Sequence, residues 1–167
     1  MAFGPQNLGL SGAALRERVD EALKDVGLAD RADAMTRVLS AGQQQRLALA
    51  AALAMRPRLL LADEPTAHLD PVAAAAILAL LATLPRRGIG VLLAEHRLGL
   101  AAPLADRVIA IVGGRLVADG VPRAVFADLD LASRGVPVPV AARAALALAI
   151  GAPLPLTPVE LARALAP

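Results

Sequence analysis

The sequence contains no cysteine, tryptophan or tyrosine, and its only aromatic residues are Phe3 and Phe126. Without cysteine the chain can form neither disulfide bridges nor thiolate metal sites. Proteins that bind single-stranded nucleic acid stack bases on aromatic side chains beside a basic groove. Here the 17 lysines and arginines are scattered along the chain and nearly balance the 15 acidic residues. The composition therefore argues against a nucleic-acid partner.

Long apolar runs are also missing. The longest, LALAAALAM (47–55) and VAAAAILALLATL (72–84), fall short of the ~20 residues that a transmembrane helix needs. The first twelve residues lack the basic segment and apolar run of a signal peptide. We therefore expect no segment that crosses a membrane. A length of 167 residues with 57% hydrophobic content is typical of one globular domain.

Two helices are predicted before the first strand. Residues 13–26 place apolar side chains on one helical face and charged side chains elsewhere. Ser40, followed by Gln43 three residues later, forms a capping-box pattern that begins a second helix. We expect this helix to continue to about Arg56, because Pro57 stops it.

A strand, a helix and a second strand follow. The segment RLLLAD (58–63) is apolar on both alternating faces, which predicts an inner strand of a parallel sheet covered by helices. Asp70 and Pro71 provide an N-cap and a first-turn proline for a helix to about Leu84. The segment IGVLLA (89–94) predicts the second strand. These elements predict a βαβ unit and an α/β fold.

The rest of the chain has a different pattern. The segment DRVIAIVGGRLVADG (106–120) predicts an antiparallel hairpin that turns at its two adjacent glycines. A small helix is expected around residues 122–127. The tail is rich in proline and alanine and predicts two short helices, near 140–150 and 158–165.

Polar side chains follow both strands of the predicted βαβ unit. Asp63 and Glu64 follow the first strand, and Glu95 and His96 follow the second. Ligands of open α/β sheets bind beyond the carboxyl ends of the strands. An aspartate there can hold Mg²⁺, a glutamate can orient or deprotonate water, and a histidine can bind phosphate. The Asp-Glu pair also fits a solvated strand end that has no ligand.

The predicted helix start LSAGQQQR (39–46) is a candidate anion site. Backbone N–H groups at a helix N-terminus, together with the helix dipole, favour an anion such as phosphate. The hydroxyl of Ser40 could add a further donor. Capping alone would also explain Ser40 and Gln43.

In this order and at this spacing, the motifs resemble the nucleotide-binding subunits of ABC transporters. LSAGQQQR resembles the signature motif, LLLADEP the Walker B motif, TAHLD the D-loop and His96 the switch histidine. The segments AFGPQNLGL, EPTAHLDP, AEHRL and PLADRVIAIVGGRLVADG are similar in particular to the ATPases of energy-coupling-factor importers for vitamins and metal ions. The resemblance covers nearly the whole chain.

The resemblance implies an α/β fold with a partial parallel-sheet core of the P-loop NTPase type, a β-hairpin and a short helical tail. It implies a partial ABC ATPase domain over 1–130 and a C-terminal helical extension over 131–167. Within the first, 1–56 would be the helical subdomain with the signature motif, and 57–130 would carry the Walker B, D-loop and histidine motifs.

The resemblance also implies a role for each strand-end residue, with ATP and Mg²⁺ as cofactors. Asp63 would help to hold Mg²⁺. Glu64 would polarise the hydrolytic water, and His96 would contact the γ-phosphate. These roles make Glu64 and His96 the candidate catalytic residues. His68, within the D-loop-like segment, is expected to be a loop residue.

Cofactor binding is assigned by the same resemblance to Ser40, Ala41, Gly42, Gln43 and Asp70. The signature-like residues would reach the γ-phosphate of ATP bound to the opposite subunit of a head-to-tail dimer. Asp70 would couple the two ATP sites across that dimer. Ala41 stands where the signature motif usually has glycine, and its methyl group would narrow the approach of the backbone to phosphate.

One expected motif is missing from the sequence. A P-loop needs G-x-x-x-x-G-K-[ST], and the sole lysine, Lys24, follows a leucine in an amphipathic segment. In the family that the chain resembles, the P-loop, the adenine-stacking aromatic and the Q-loop glutamine all come before the segment similar to AFGPQNLGL. We therefore expect the C-terminal part of a longer subunit, which alone binds ATP weakly or not at all and hydrolyses it negligibly.

Three functions stay open from the sequence. The first is an ATP-hydrolysing subunit of a membrane importer, bound to integral membrane transport subunits at the cytoplasmic face of the cell membrane. The second is a non-catalytic partner that donates its signature motif to another ATPase subunit. The third is an ABC ATPase that acts outside transport, which the segments similar to coupling-factor ATPases disfavour.

Overall fold

The computed structural model describes residues 1–166, which separate into two compact units. The first unit runs from Met1 to Ala94, and the second begins at Glu95. The division at residue 130 inferred above stays a prediction. Phe126 and Leu131, on either side of that position, both belong to the apolar core of the second unit.

The first unit contains the predicted helices and the predicted parallel strands. Its elements are α1 (Phe3–Asn7), α2 (Gly12–Asp25), α3 (Ala41–Leu53), β1 (Leu59–Asp63), α4 (Pro71–Leu81) and β2 (Gly90–Ala94), with 3₁₀ turns at Ala29–Arg31, Thr36–Val38 and Leu84–Arg87. The helix α3 ends earlier than predicted. Arg56, which precedes Pro57, has a φ of 49° and so lies outside the right-handed helical region that a residue before proline avoids.

The strands β1 and β2 pair in parallel, from Leu59 opposite Gly90 to Asp63 opposite Ala94. This pairing confirms the predicted βαβ unit and the α/β fold class. The prediction that helices cover both faces of β1 was wrong. Leu60 is buried, but Leu59 and Leu61 on the other face are 56% and 67% exposed. An apolar run indicates a strand but does not by itself tell which of its faces a helix covers.

The second unit contains the predicted hairpin and tail. Its elements are α5 (Leu98–Ala101), β3 (Val108–Val112), β4 (Arg115–Gly120), α6 (Pro122–Val125), α7 (Val140–Ala147) and α8 (Pro158–Leu165), with a 3₁₀ turn at Ala102–Leu104. The strands β3 and β4 are antiparallel. Gly113 and Gly114 join them with φ of 56° and 73°, the two positive values that a tight hairpin turn demands.

An apolar core built on Phe126 holds the second unit together. Phe126 is 1% exposed, and its cluster also contains Leu131, Leu156 and two alanines of α7, Ala142 and Ala145. An ion pair between Arg123 of α6 and Glu160 of α8 adds a polar link. Among the described residues, no helix has the length and apolarity that crossing a bilayer requires.

Candidate functional site

The carboxyl end of β1 carries the predicted acidic pair. Asp63 is the last residue of the strand, and the N–H of Glu64 donates to the carbonyl oxygen of Ala94 at 2.9 Å. This bond extends the pairing with β2 by one residue beyond the strand. Glu64 then takes a φ of 44°, a left-handed conformation that costs a residue other than glycine about 1–3 kcal/mol. Such strain is concentrated at functional sites, and both carboxylates are exposed.

The loop after Glu64 is anchored at two positions. Thr66 is fully buried and Leu69 is 8% exposed. The N–H of Leu69 donates to the carbonyl oxygen of Thr66, and the N–H of Ala67 donates to that of Glu64. Between the two anchors, His68 is exposed and has a φ of 60°. The loop therefore presents Ala67 and His68 outward, and His68 is a loop residue as expected.

Asp70 caps α4, as predicted. Its Oδ1 accepts hydrogen bonds from the N–H groups of Val72 and Ala73, both at 2.9 Å. Pro71 occupies the first helical turn, where its missing N–H is no loss. The carboxylate of Asp70 is thus fixed at the start of α4.

The signature-like helix α3 begins with the predicted capping box. The N–H of Gln43 donates to Ser40 Oγ at 3.3 Å, and the N–H of Ser40 donates to Gln43 Oε1 at 2.9 Å. Ser40 and Ala41 are exposed. The first intrahelical bond runs from Gln44 N to Ser40 O at 2.8 Å, so the amides of Ala41 and Gly42 precede the helical ladder. This geometry suits an incoming anion.

The first turns of α3 and α4 meet at Gly42 and Ala73. A methyl group on Gly42 would lie 3.2 Å from the Cβ of Ala73, which is tighter than ordinary carbon contacts. This contact was not predicted from the sequence, because the sequence of one helix does not show which other helix packs against it. The only sequence signal for it is the presence of small residues in the first turns of both helices.

His96 lies in the second unit, two residues after the end of β2, and it is exposed. The carboxylate of the preceding residue, Glu95, caps the turn that follows it. Its Oε1 accepts hydrogen bonds from the N–H groups of His96 and Arg97, both at 2.9 Å. The N–H of Leu98 donates to the carbonyl oxygen of His96. These bonds fix the backbone at His96.

Three carboxylates that are not among the candidate site residues have lowered pKa values, because each accepts a hydrogen bond from an arginine. Hydrogen bonds from Arg56, Arg107 and Arg123 lower the pKa values of Glu21, Asp119 and Glu160, respectively.

Within residues 1–166, no group of three or more His, Asp or Glu side chains could hold a metal ion. The carboxylate of Asp63 still fits Mg²⁺ chemistry, because Mg²⁺ in nucleotide sites takes one or two carboxylates and completes its shell with water and phosphate.

Residues 5–67 match the ABC transporter family, in the segment that contains the signature-like helix and the acidic pair. The cobalt import ATP-binding protein CbiO of Rhodobacter capsulatus is 45% identical over 135 residues, which are 81% of this chain and 48% of that protein. The energy-coupling factor transporter ATP-binding protein EcfA of Methanocaldococcus jannaschii is 41% identical over 130 residues, 78% of this chain and 47% of that protein.

Residues 5–67 thus belong to an ABC transporter ATP-binding domain. A solved ABC structure, cbiO1 from Clostridium perfringens, described as part of the cbiONQ transporter complex, superposes with a TM-score of 0.71 at 36% identity. The match covers 80% of this ABC chain and 53% of cbiO1. The ABC chain therefore spans about half the length of the relatives it matches.

Proposed function

We propose that this ABC chain is part of an ATP-hydrolysing subunit of an importer of the energy-coupling-factor type, for a vitamin or a metal ion. The placement of Glu64 carries the proposal: it follows β1 in a strained conformation, exposed at the carboxyl end of a parallel strand pair. The names of the relatives, a cobalt import protein and an energy-coupling factor transporter protein, support the transport role.

In the proposed reaction, Asp63 helps to hold the Mg²⁺ of Mg-ATP. When bound, Mg²⁺ neutralises charge on the phosphate oxygens. Glu64 would orient the water that attacks the γ-phosphate and would accept its proton as the general base. His96 contacts the γ-phosphate. The fixed backbone at Glu64 and at His96 supports these roles, because it limits the directions that each side chain can take.

Binding of ATP is proposed to involve a second ATPase subunit in a head-to-tail dimer. Ser40, Ala41, Gly42 and Gln43 would contact the γ-phosphate of ATP held by the opposite subunit, and Asp70 would couple the two sites. Exposure of Ser40 and Ala41 at a capped helix start supports this arrangement. Integral membrane transport subunits at the cytoplasmic face of the membrane complete the proposed assembly.

The test measures Mg-ATP turnover by the chain assembled with an ABC subunit that carries a P-loop. Glu64→Gln keeps the shape of the side chain but removes the base, so turnover should fall by about 10²–10⁴-fold. Glu17→Gln, a change at an exposed carboxylate on α2, is the matched control and should leave turnover unchanged. Wild-type turnover with an unaffected Glu64→Gln variant would refute the catalytic role.

A second candidate function is that of a non-catalytic subunit. The exposed, capped start of α3 favours it, together with a sequence that contains no P-loop motif. The chain would then be a non-catalytic partner that lends its signature motif to the ATP site of another subunit. Ser40→Arg would abolish the turnover of that partner, whereas Glu64→Gln would not change it. The two variants together therefore distinguish the two functions.

A further inference from the structure

A single alanine connects the two segments that the proposed function assigns to the dimer. The N–H of Ala73 donates to Asp70 Oδ1 at 2.9 Å. The Cβ of the same residue faces Gly42, where an added methyl group would lie only 3.2 Å away. Ala73 therefore contacts the D-loop-like segment through its backbone and the signature-like segment through its side chain.

We propose that Ala73 is a positioning residue that fixes the start of α3 relative to Asp70. This inference rests on the proposed function, because it assigns a fixed spacing to the residues that would contact the γ-phosphate and to the carboxylate that would couple the two ATP sites. Binding groups must be held to within ~0.5 Å of their productive geometry. A methyl group added at Gly42 would require a shift of a few tenths of an ångström at this contact, which is comparable with that tolerance.

The size of the side chains at the contact sets the spacing. With hydrogen at position 42 and methyl at 73, the two backbones can approach closely. A larger side chain at either position must push the helix starts apart, since the helical backbone in the first turn is rigid. Misplacement of a binding group by about 1 Å costs about 10²-fold in rate.

The contact lies at the margin of the first unit rather than in its core. Gly42 and Ala73 are both partly exposed, whereas the neighbouring Ala74 is fully buried. A valine at position 73 can therefore be accommodated by a local shift of the helix starts, and the unit should still fold. Ala76, exposed on the same helix, provides a matched position for the same substitution.

The test uses Ala73→Val and Ala76→Val in the chain assembled with a P-loop-bearing ABC subunit. We expect Ala73→Val to lower kcat/KM for ATP at least tenfold, while Ala76→Val stays within twofold of wild type. Equal values for Ala73→Val and wild type would overturn the inference. A wild-type assembly without turnover would instead count against the proposed function.

A compensating pair separates positioning from a direct role of Gly42. Gly42→Ala alone should lose kcat/KM, because its methyl group meets Ala73. Adding Ala73→Gly removes the Cβ that the new methyl group contacts. The double variant should therefore recover at least half of the lost kcat/KM, measured on a logarithmic scale. If the double variant is as impaired as Gly42→Ala, the contact does not position the segments and the inference is wrong.

A measurement on the chain alone tests the same contact without turnover. Amide hydrogen exchange at Gln43 and Gln44 reports on the capping box and the first turn of α3. Ala73→Val should speed exchange there at least fivefold, with the far-ultraviolet circular dichroism unchanged, and Ala76→Val should not. Unchanged exchange in Ala73→Val would contradict the inference even if no assembly hydrolyses ATP.

Discussion

The ion pair between Arg123 and Glu160 offers a sharp test of what holds the C-terminal helix α8 in the second unit. Arg123 donates two hydrogen bonds to the carboxylate, at 2.9 and 3.1 Å, and another to the carbonyl oxygen of Leu154. The N–H of Leu156 donates to the same carboxylate at 2.8 Å. Glu160→Gln keeps the shape of the side chain but removes its charge.

The expected loss in the free energy of unfolding follows from the exposure of the pair. Hydrogen bonds to charged groups contribute roughly 1.5–3 kcal/mol, and fully exposed ion pairs contribute about 0.2–1 kcal/mol. Arg123 and Glu160 lie between these limits, with side chains 41% and 33% exposed. We therefore expect a loss of about 1–2 kcal/mol. For a chain of this size this lowers Tm by about 3–6 °C.

The loss should depend on pH, because hydrogen bonds from Arg123 and from the backbone N–H of Leu156 lower the pKa of Glu160 below its ordinary value of 4.5. A carboxyl whose pKa is lower in the folded state adds stability that is complete above the unfolded pKa. That stability is lost as the pH falls through the folded pKa. The gap in Tm between wild type and Glu160→Gln should be full at pH 7 and narrow below pH ~4.5.

Thermal unfolding followed by circular dichroism between pH 7 and pH 3.5 provides the measurement, with Glu17→Gln as an exposed control. The control should change Tm little at any pH. A Glu160→Gln variant with wild-type Tm at pH 7 would refute the stabilising role of the pair. A gap that persists unchanged at the lowest pH would show that the loss comes from altered packing and not from charge.

Three further predictions concern stability and ligand binding. Phe126→Ala should lower the free energy of unfolding by about 3–5 kcal/mol in chemical denaturation, whereas Phe3→Ala, at a 76% exposed side chain, should change it by less than about 0.5 kcal/mol. Asp70→Ala should cost about 1 kcal/mol in thermal unfolding, but Asp70→Asn should retain most of the cap. The 167-residue polypeptide alone should bind Mg-ATP weakly or not at all in calorimetry, because its sequence contains no P-loop motif. This last prediction would be wrong if the polypeptide alone bound Mg-ATP tightly and hydrolysed it, and if Glu64→Gln abolished that hydrolysis.

Local signals in the sequence predicted much of the fold. Ser40 and Asp70 cap α3 and α4 because their side chains satisfy amides two or three residues away, and such bonds need no distant partner. The two glycines of the hairpin supply the positive φ values of its turn. The apolar runs of the βαβ unit placed its two strands correctly to within one residue at each end.

Other features depend on context that the sequence does not display. The helix α1 contains Gly4 and Pro5, both poor helix formers, and was not predicted. The exposure of Leu59 and Leu61 depends on which elements pack over β1, and hydrophobicity alone cannot supply that.

The candidate site was predicted from the order of motifs and not from geometry. Motif order identified Glu64, but its left-handed backbone conformation is visible only in three dimensions. The same holds for the contact between Gly42 and Ala73, which joins two helices that are distant in sequence. A pattern in the sequence can therefore nominate the residues of a site, whereas the spacing between them has to be measured.

The exposed leucines of β1 have a practical consequence for work with this polypeptide. The parallel strand pair has an exposed hydrophobic surface, which is formed by Leu59 and Leu61 of β1 and Leu92 of β2. Molecules that expose such surfaces associate with one another, and this association increases with protein concentration. Light scattering per unit of protein should therefore rise with protein concentration well below the melting temperature. A charged replacement such as Leu61→Lys should raise the concentration at which this increase begins.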